Sequence, residues 1–256
     1  MSEKLKETDR ADQPLERSAG QCTSRWDMDR WLEEFRGRLT DLFGERLRFF
    51  GIQGSYGRGE QTDGSDIDVV VITDRMEPED LQAYRGMLES VEHNELVCGF
   101  VAGESELRGW EKADLLQLYL DTKPLYGSLE EIGTMFTEED VRRAVLSGAC
   151  NLYHASSHNF LHARDMDVLK GLYKAARFTV RMKYRLETGE YIASMTRLEG
   201  LVGGEDRQIL ETARGLDCMR DKTGAGDDSA CPDFDRYSLV LNSWAAGIIR
   251  SMPVRH

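Results

Sequence analysis

Asp66 and Asp68 are the residues of this chain whose spacing most directly implies chemistry. They open the apolar run 69–72, and in an extended strand residues two apart face the same side, so the two carboxylates project together. Like charges so placed repel, and a proton or a cation must relieve them. Hard divalent cations with oxygen ligands are the usual partners; Mg²⁺ combines one or two carboxylates with substrate phosphates. Upstream, just after the apolar run Leu47–Ile52, stands Gly54-Ser55, followed by Gly57 and Gly59. Glycines permit tight turns and close backbone approach, and successive turn N–H groups can line a concavity for an anion. Paired metal carboxylates joined by a short loop to a phosphate cradle are what phosphoryl or nucleotidyl transfer requires. A calcium loop is excluded, because counting from Asp63 puts Asp68 where an EF-hand needs its glycine.

Gly54-Ser55, a spacer, then Ser65-Asp66-Ile67-Asp68 before an apolar strand resembles the signature of the DNA polymerase β-like nucleotidyltransferase superfamily. The resemblance implies that Gly54 and Ser55 hold the β and γ phosphates of a nucleoside triphosphate, and that Asp66 and Asp68 bind Mg²⁺. Arg58 and Ser65 are further nucleotide-binding candidates in the same loop, although Arg58 can equally pair with Glu60 or Asp63, and Tyr56 can pack beneath the loop.

The chain is more particularly similar to the aminoglycoside 3″-type adenylyltransferases, through the strand 96–102 followed by a loop and Trp110, and through the stretches 170–178, 188–191 and 208–214. That resemblance implies transfer of AMP from ATP to a hydroxyl of a small-molecule acceptor. A protein acceptor, or nucleotide binding without transfer, stays open beside it. Two positions depart from the family pattern. The third acidic residue, general base or second-metal ligand in the superfamily, falls on Cys98; Glu95 and Glu104 flank its strand, with little to choose between them. A lysine expected shortly after Thr188-Gly189 is replaced by Ser194. Cys98 reads as a buried strand thiol acting as a small apolar filler. Lys170 and Lys174, four apart on one helical face, are candidates to reach the triphosphate, or else form a solvated basic stripe. His154, His158 and His162 also recur every four residues. That row can bind a transition metal, serve an interface, or supply a proton acceptor.

The chain has 256 residues and a net charge of −13, which suits one large domain or two moderate ones. A nucleic-acid enzyme is expected to show a basic face, so the acidic balance disfavours nucleic acid and favours a cationic small molecule or a protein. Five cysteines without CxxC spacing point to reduced thiols in a cytoplasmic protein. No signal peptide opens the sequence, and no apolar run reaches membrane-spanning length.

The elements that must position the acid pair follow from hydrophobic period. Residues 1–24 are expected to form a disordered tail, and 25–130 a nucleotidyltransferase domain: an amphipathic helix (25–43), strand 47–52, the loop, the Asp strand, a helix from Pro78 to about 91, a buried strand 96–102, a helix 104–119 and a short edge strand 124–127. Residues 134–256 are expected to form an all-helical bundle, with helices over 138–162, 165–187, 205–216 and 237–249 and a polar loop over 221–235. The fold class expected is therefore an α/β (α+β) sheet domain followed by a helical bundle.

Overall fold

The structure is a computed structural model describing residues 27–62, 65–220 and 233–252. The tail expected over 1–24, Trp26, Asp63 and most of the 221–235 loop lie outside these described residues. The chain divides between Phe136 and Thr137 into a sheet-containing unit and a helical unit.

The sheet unit begins with α1 (Met28–Phe43), capped by Asp27, whose side chain accepts from the Arg30 N–H. Trp31, Phe35, Leu39 and Phe43 recur every fourth residue and are all buried. They form the stripe expected of an amphipathic helix and pack on Phe50, Ile67, Val69 and Val71 of the sheet. Trp31 stacks on Phe35, and Phe35 on Phe50. Each such side chain, fully buried, contributes ~1.5–3 kcal/mol.

Four strands follow, β1 (Leu47–Ile52), β2 (Ile67–Thr73), β3 (Val97–Gly103) and β4 (Lys123–Tyr126), in the order β3-β2-β1-β4. β1 runs antiparallel to β2 and β4, while β2 and β3 are parallel. A parallel pair needs a crossover helix, and α3 (Pro78–Leu88) supplies it, started by Pro78 and a capping box between Glu77 and Asp80.

Three sequence expectations need correcting here. The strand 96–102, expected to be buried, is the edge strand β3, and its Cys98 and Gly99 are exposed. The helix expected over 104–119 is two helices, α4 (Glu104–Arg108) and α5 (Lys112–Asp121), because the chain turns at Gly109 and Glu111 caps the second with a hydrogen bond from the Ala113 N–H. The Gly-rich loop contains a helical turn, α2 (Gly54–Arg58), rather than turns alone. The four-residue α6 (Glu130–Gly133) ends the unit.

The helical unit holds α7 (Glu138–His158), α8 (Met166–Thr188), α9 (Met195–Leu201), α10 (Gly204–Arg220) and α11 (Phe234–Ser251). α7 packs on α8 and α11, and α8 on α10. Thr137 and Asp140 form the capping box of α7, and Asp165 caps α8 through the N–H groups of Asp167 and Val168. No helix among the described residues is long and apolar enough to cross a membrane.

Candidate active site

β1 hands directly into the Gly-rich turn. The Gln53 N–H donates to the Asp68 carbonyl at 2.7 Å, extending the β1–β2 ladder by one bond. The Gln53 side-chain amide donates to Leu118 O at 3.2 Å and to Thr122 Oγ1 at 2.8 Å, which anchors the entrance of the loop. Gly54 then takes φ +64°, a left-handed conformation that only glycine adopts cheaply. A Cβ there would overlap Asp68 Oδ2 and stand 2.9 Å from Asp68 Cγ. The Asp68 carboxylate therefore lies directly against the backbone of the Gly-Ser turn.

Within α2 the Gly57 N–H donates to Gln53 O at 2.9 Å. The N–H groups of Gly54 and Ser55 precede that first helical bond, in the position from which a helix start meets an anion. The Glu60 N–H closes the turn on Ser55 O at 2.8 Å, and Tyr56 packs against the core beneath. Arg58 Nε donates to Glu60 Oε2 at 3.1 Å, one of the pairings its sequence left open. Ser65 is tied to Thr62 in both directions: its N–H donates to Thr62 O at 3.0 Å, and its hydroxyl accepts from the Thr62 N–H at 2.9 Å. Asp66, exposed, immediately precedes β2; Asp68, half-buried, is the second residue of the strand. Strand alternation turns both away from the buried Ile67 and Val69.

Next to Asp68, across the parallel ladder, stands Cys98. Gly99 beside it has φ +142°, and a Cβ there would overlap the Val69 carbonyl and lie 2.7 Å from Val69 N. Only glycine lets β3 approach β2 so closely at the level of the acid pair. The Cys98 thiol is exposed, which corrects the expectation of a buried filler; the reason is that β3 is an edge and only one of its sides is covered. Two residues further, Phe100 meets Trp110 edge-to-face at 5.5 Å, leaving the indole 41% exposed.

Residues 32–142 match the family model of the nucleotidyltransferase domain. This segment is similar to nucleotidyltransferase domains. No curated protein matches the chain. Among solved structures the chain is similar to spectinomycin adenyltransferase AAD(9) from Enterococcus faecialis with ATP and spectinomycin, at 14% identity, over 86% of this chain and 100% of that one, with a TM-score of 0.56. At that identity the likeness is one of fold. It is also similar to a toxin–antitoxin with AMP-PNP (19% identity, 44% of this chain and 85% of that one, TM-score 0.32). A third is a tri-AMPylated Shewanella oneidensis HEPN toxin in complex with MNT antitoxin (17%, 40% and 75%, TM-score 0.29). The resemblance to polymerase β-like nucleotidyltransferases, and to aminoglycoside adenylyltransferases among them, holds in the family match and in the fold.

The acid pair suits a hard divalent cation: two carboxylates two residues apart, one of them seated against a glycine turn; among the described residues no group of three His, Cys, Asp or Glu side chains could hold a metal. Such a centre leaves coordination positions for substrate phosphates and water, the habit of Mg²⁺. The two acids flanking β3 are now distinguishable. Glu104 begins α4 at the far end of the strand, six residues from Cys98 or roughly 20 Å at strand rise, and is paired with Arg108 at 2.8 Å. Glu95 lies in the turn before β3, on the Asp68 side, 3.8 Å from the His93 ring nitrogen.

The remaining candidates belong to the helical unit. Lys170 Nζ donates to Asp167 at 3.0 Å on its own helix, while Lys174 is exposed. Ser194 caps α9 by accepting from the Arg197 N–H. Sequence reading passed over Arg181 and Arg185, which lie one turn apart on α8 and are both buried. Their signal was there to find, as two arginines at i and i+4 among apolar neighbours.

Proposed function

We propose that the chain is a Mg²⁺-dependent nucleotidyltransferase of the cytoplasm that moves AMP from ATP to a hydroxyl of a small, cationic acceptor. The observation that carries this reading is the contact of the Asp68 carboxylate with Gly54, which joins the acid pair to the Gly-Ser turn in one site.

Asp66 and Asp68 hold the cation, and the N–H groups of Gly54 and Ser55 with the Ser55 hydroxyl hold the β and γ phosphates. When bound, the metal neutralises the triphosphate and polarises the α-phosphorus. Gln53, pinned to Leu118 and Thr122, keeps the turn in place without reorganisation during the reaction. The acceptor oxygen forms its bond to the α-phosphorus as the bond to the bridging oxygen of pyrophosphate breaks, and pyrophosphate leaves with that electron pair. The hydroxyl proton passes to water at the exposed Cys98 edge, because β3 carries no carboxylate to receive it. The half-exposed Trp110 indole offers a flat electron-rich face to a cation, and the net charge of −13 draws one in. Arg58 and Ser65 are further proposed contacts of the nucleotide.

The test is pyrophosphate release from ATP and Mg²⁺ with a panel of acceptors that includes spectinomycin and other aminoglycosides. Turnover with one of them, lost in Asp66→Ala plus Asp68→Ala, is the expected result; turnover unchanged by the double substitution removes the mechanism. A second reading, ATP binding without transfer, draws on Cys98 standing in register with Asp68. Calorimetry showing ATP binding with no pyrophosphate from any acceptor supports that reading instead.

A further inference from the structure

His154, His158 and His162 lie on one exposed face of the helical unit, but the structure does not space them evenly. The rings of His154 and His158 are 6.5 Å apart between centroids, and those of His158 and His162 only 5.0 Å. The closer pair coincides with a change of backbone. α7 ends at His158, and Asn159–Ala163 forms a π-helical turn closed by the Arg164 N–H donating to Asn159 O at 2.7 Å. In an α-helix the residue four positions on falls about 40° past its predecessor, whereas in a wider π turn of about 4.4 residues it falls about 33° short, on the other side.

The turn is held rigidly. The Asn159 amide, itself 1% exposed, donates to Asp165 O at 2.8 Å and accepts from the Asp165 N–H at 3.0 Å. Arg164 closes it in the left-handed region at φ +51°, its guanidinium over the Phe160 and Phe234 rings and 2.7 Å from Asp235. A π turn is a rare local irregularity that is frequent at functional sites.

We infer that His158 and His162 form a two-histidine site for a borderline divalent transition metal of the zinc, nickel or copper class. A ring nitrogen lies about 1.1 Å from the imidazole centroid and about 2.1 Å from a bound metal, so two rings in tetrahedral ligation have centroids about 5 Å apart. His158 and His162 meet that spacing as they stand, and His154 is too distant to share the ion with them. No third His, Cys, Asp or Glu completes a metal-binding group among the described residues, so water fills the remaining positions. Imidazole donors select this metal class over Mg²⁺. The site is therefore chemically distinct from the carboxylate pair of the sheet unit.

The untagged full-length chain, titrated with NiCl₂ by calorimetry and with CuCl₂ by electron paramagnetic resonance, tests the assignment. One equivalent is expected to bind with the hyperfine pattern of two imidazole nitrogens, and His158→Gln or His162→Gln each to weaken it about tenfold or more. His154→Gln is expected to leave it unchanged. All three residues are exposed, so the variants fold, and circular dichroism checks that they do. Absence of an equivalent sensitive to His158→Gln and His162→Gln overturns the site. An equal loss in His154→Gln overturns the paired geometry.

Discussion

The Asp68 carboxylate rests against Gly54, so closely that a single methyl group on the Gly54 Cα would overlap Asp68 Oδ2. The acid-bearing strand and the Gly-Ser turn are thus packed directly against each other. Gly54→Ala is expected to force the carboxylate aside while adding ~1–2 kcal/mol of left-handed strain. Turnover should fall about a hundredfold or more for a displacement of this size at the reacting centre. The melting temperature should fall only a few degrees, and steady-state kinetics beside thermal denaturation separates the two effects.

Gly99 carries a different load. It lets β3 lie against the Val69 carbonyl at the height of Asp68, and any side chain there must break the β2–β3 register. Gly99→Ala is expected to cost about 3 kcal/mol or more in urea unfolding, a loss in the range of severe backbone and packing mutations. A cost below about 1 kcal/mol would mean that the edge strand adjusts freely.

Cys98 stands in register beside Asp68, and under the proposed function its place is that of a missing third acid. Cys98→Asp is expected to raise turnover about tenfold or more, since a positioned base contributes ~10²–10⁴-fold. Cys98→Ser should give no gain. A third carboxylate adds repulsion that only a cation relieves, so Mg²⁺ should raise the melting temperature of Cys98→Asp more than that of the native chain.

Arg46 joins the start of β1 to the end of β2 and to the cap of α3. It donates to Asp74 at 3.0 Å and to the two Asp80 oxygens at 2.8 and 2.7 Å. These bonds, with the Glu77 N–H second, hold the Asp80 carboxyl down to about 2, from an ordinary 3.8. A depressed folded-state value gives stability that is present above the unfolded value and lost as pH falls through the folded one. The native chain should therefore lose this contribution between about pH 4 and pH 2. In Arg46→Met that acid limb should flatten, which urea unfolding at stepped pH measures.

What the sequence made legible was governed by period. β1, the loop and the Asp strand stand out because short β-branched or aromatic runs bounded by Gly and Asp leave few other readings, and α1 shows its four-residue stripe plainly. β3 reads as an apolar run, and such a run looks alike in the middle of a sheet and at its edge; only the strand order reveals that Cys98 is exposed. α2 was not legible, because Gly54, Gly57 and a tight turn argue locally against helix, and the ties of Gln53 to Asp68, Leu118 and Thr122 override that preference. The π turn was equally hidden. Its histidines keep the same four-residue spacing through α and π backbone, and the Asn159–Asp165 lock that widens the turn is visible only in three dimensions.

Calorimetric titration of ATP into the native chain, with Mg²⁺ and then with chelator, against the isosteric pair Asp66→Asn plus Asp68→Asn, tests the central claim most directly. Binding by the native chain that depends on Mg²⁺, with that dependence gone in the double variant, is the predicted result. Equal ATP affinity with and without Mg²⁺, unaltered by the substitutions, would contradict it.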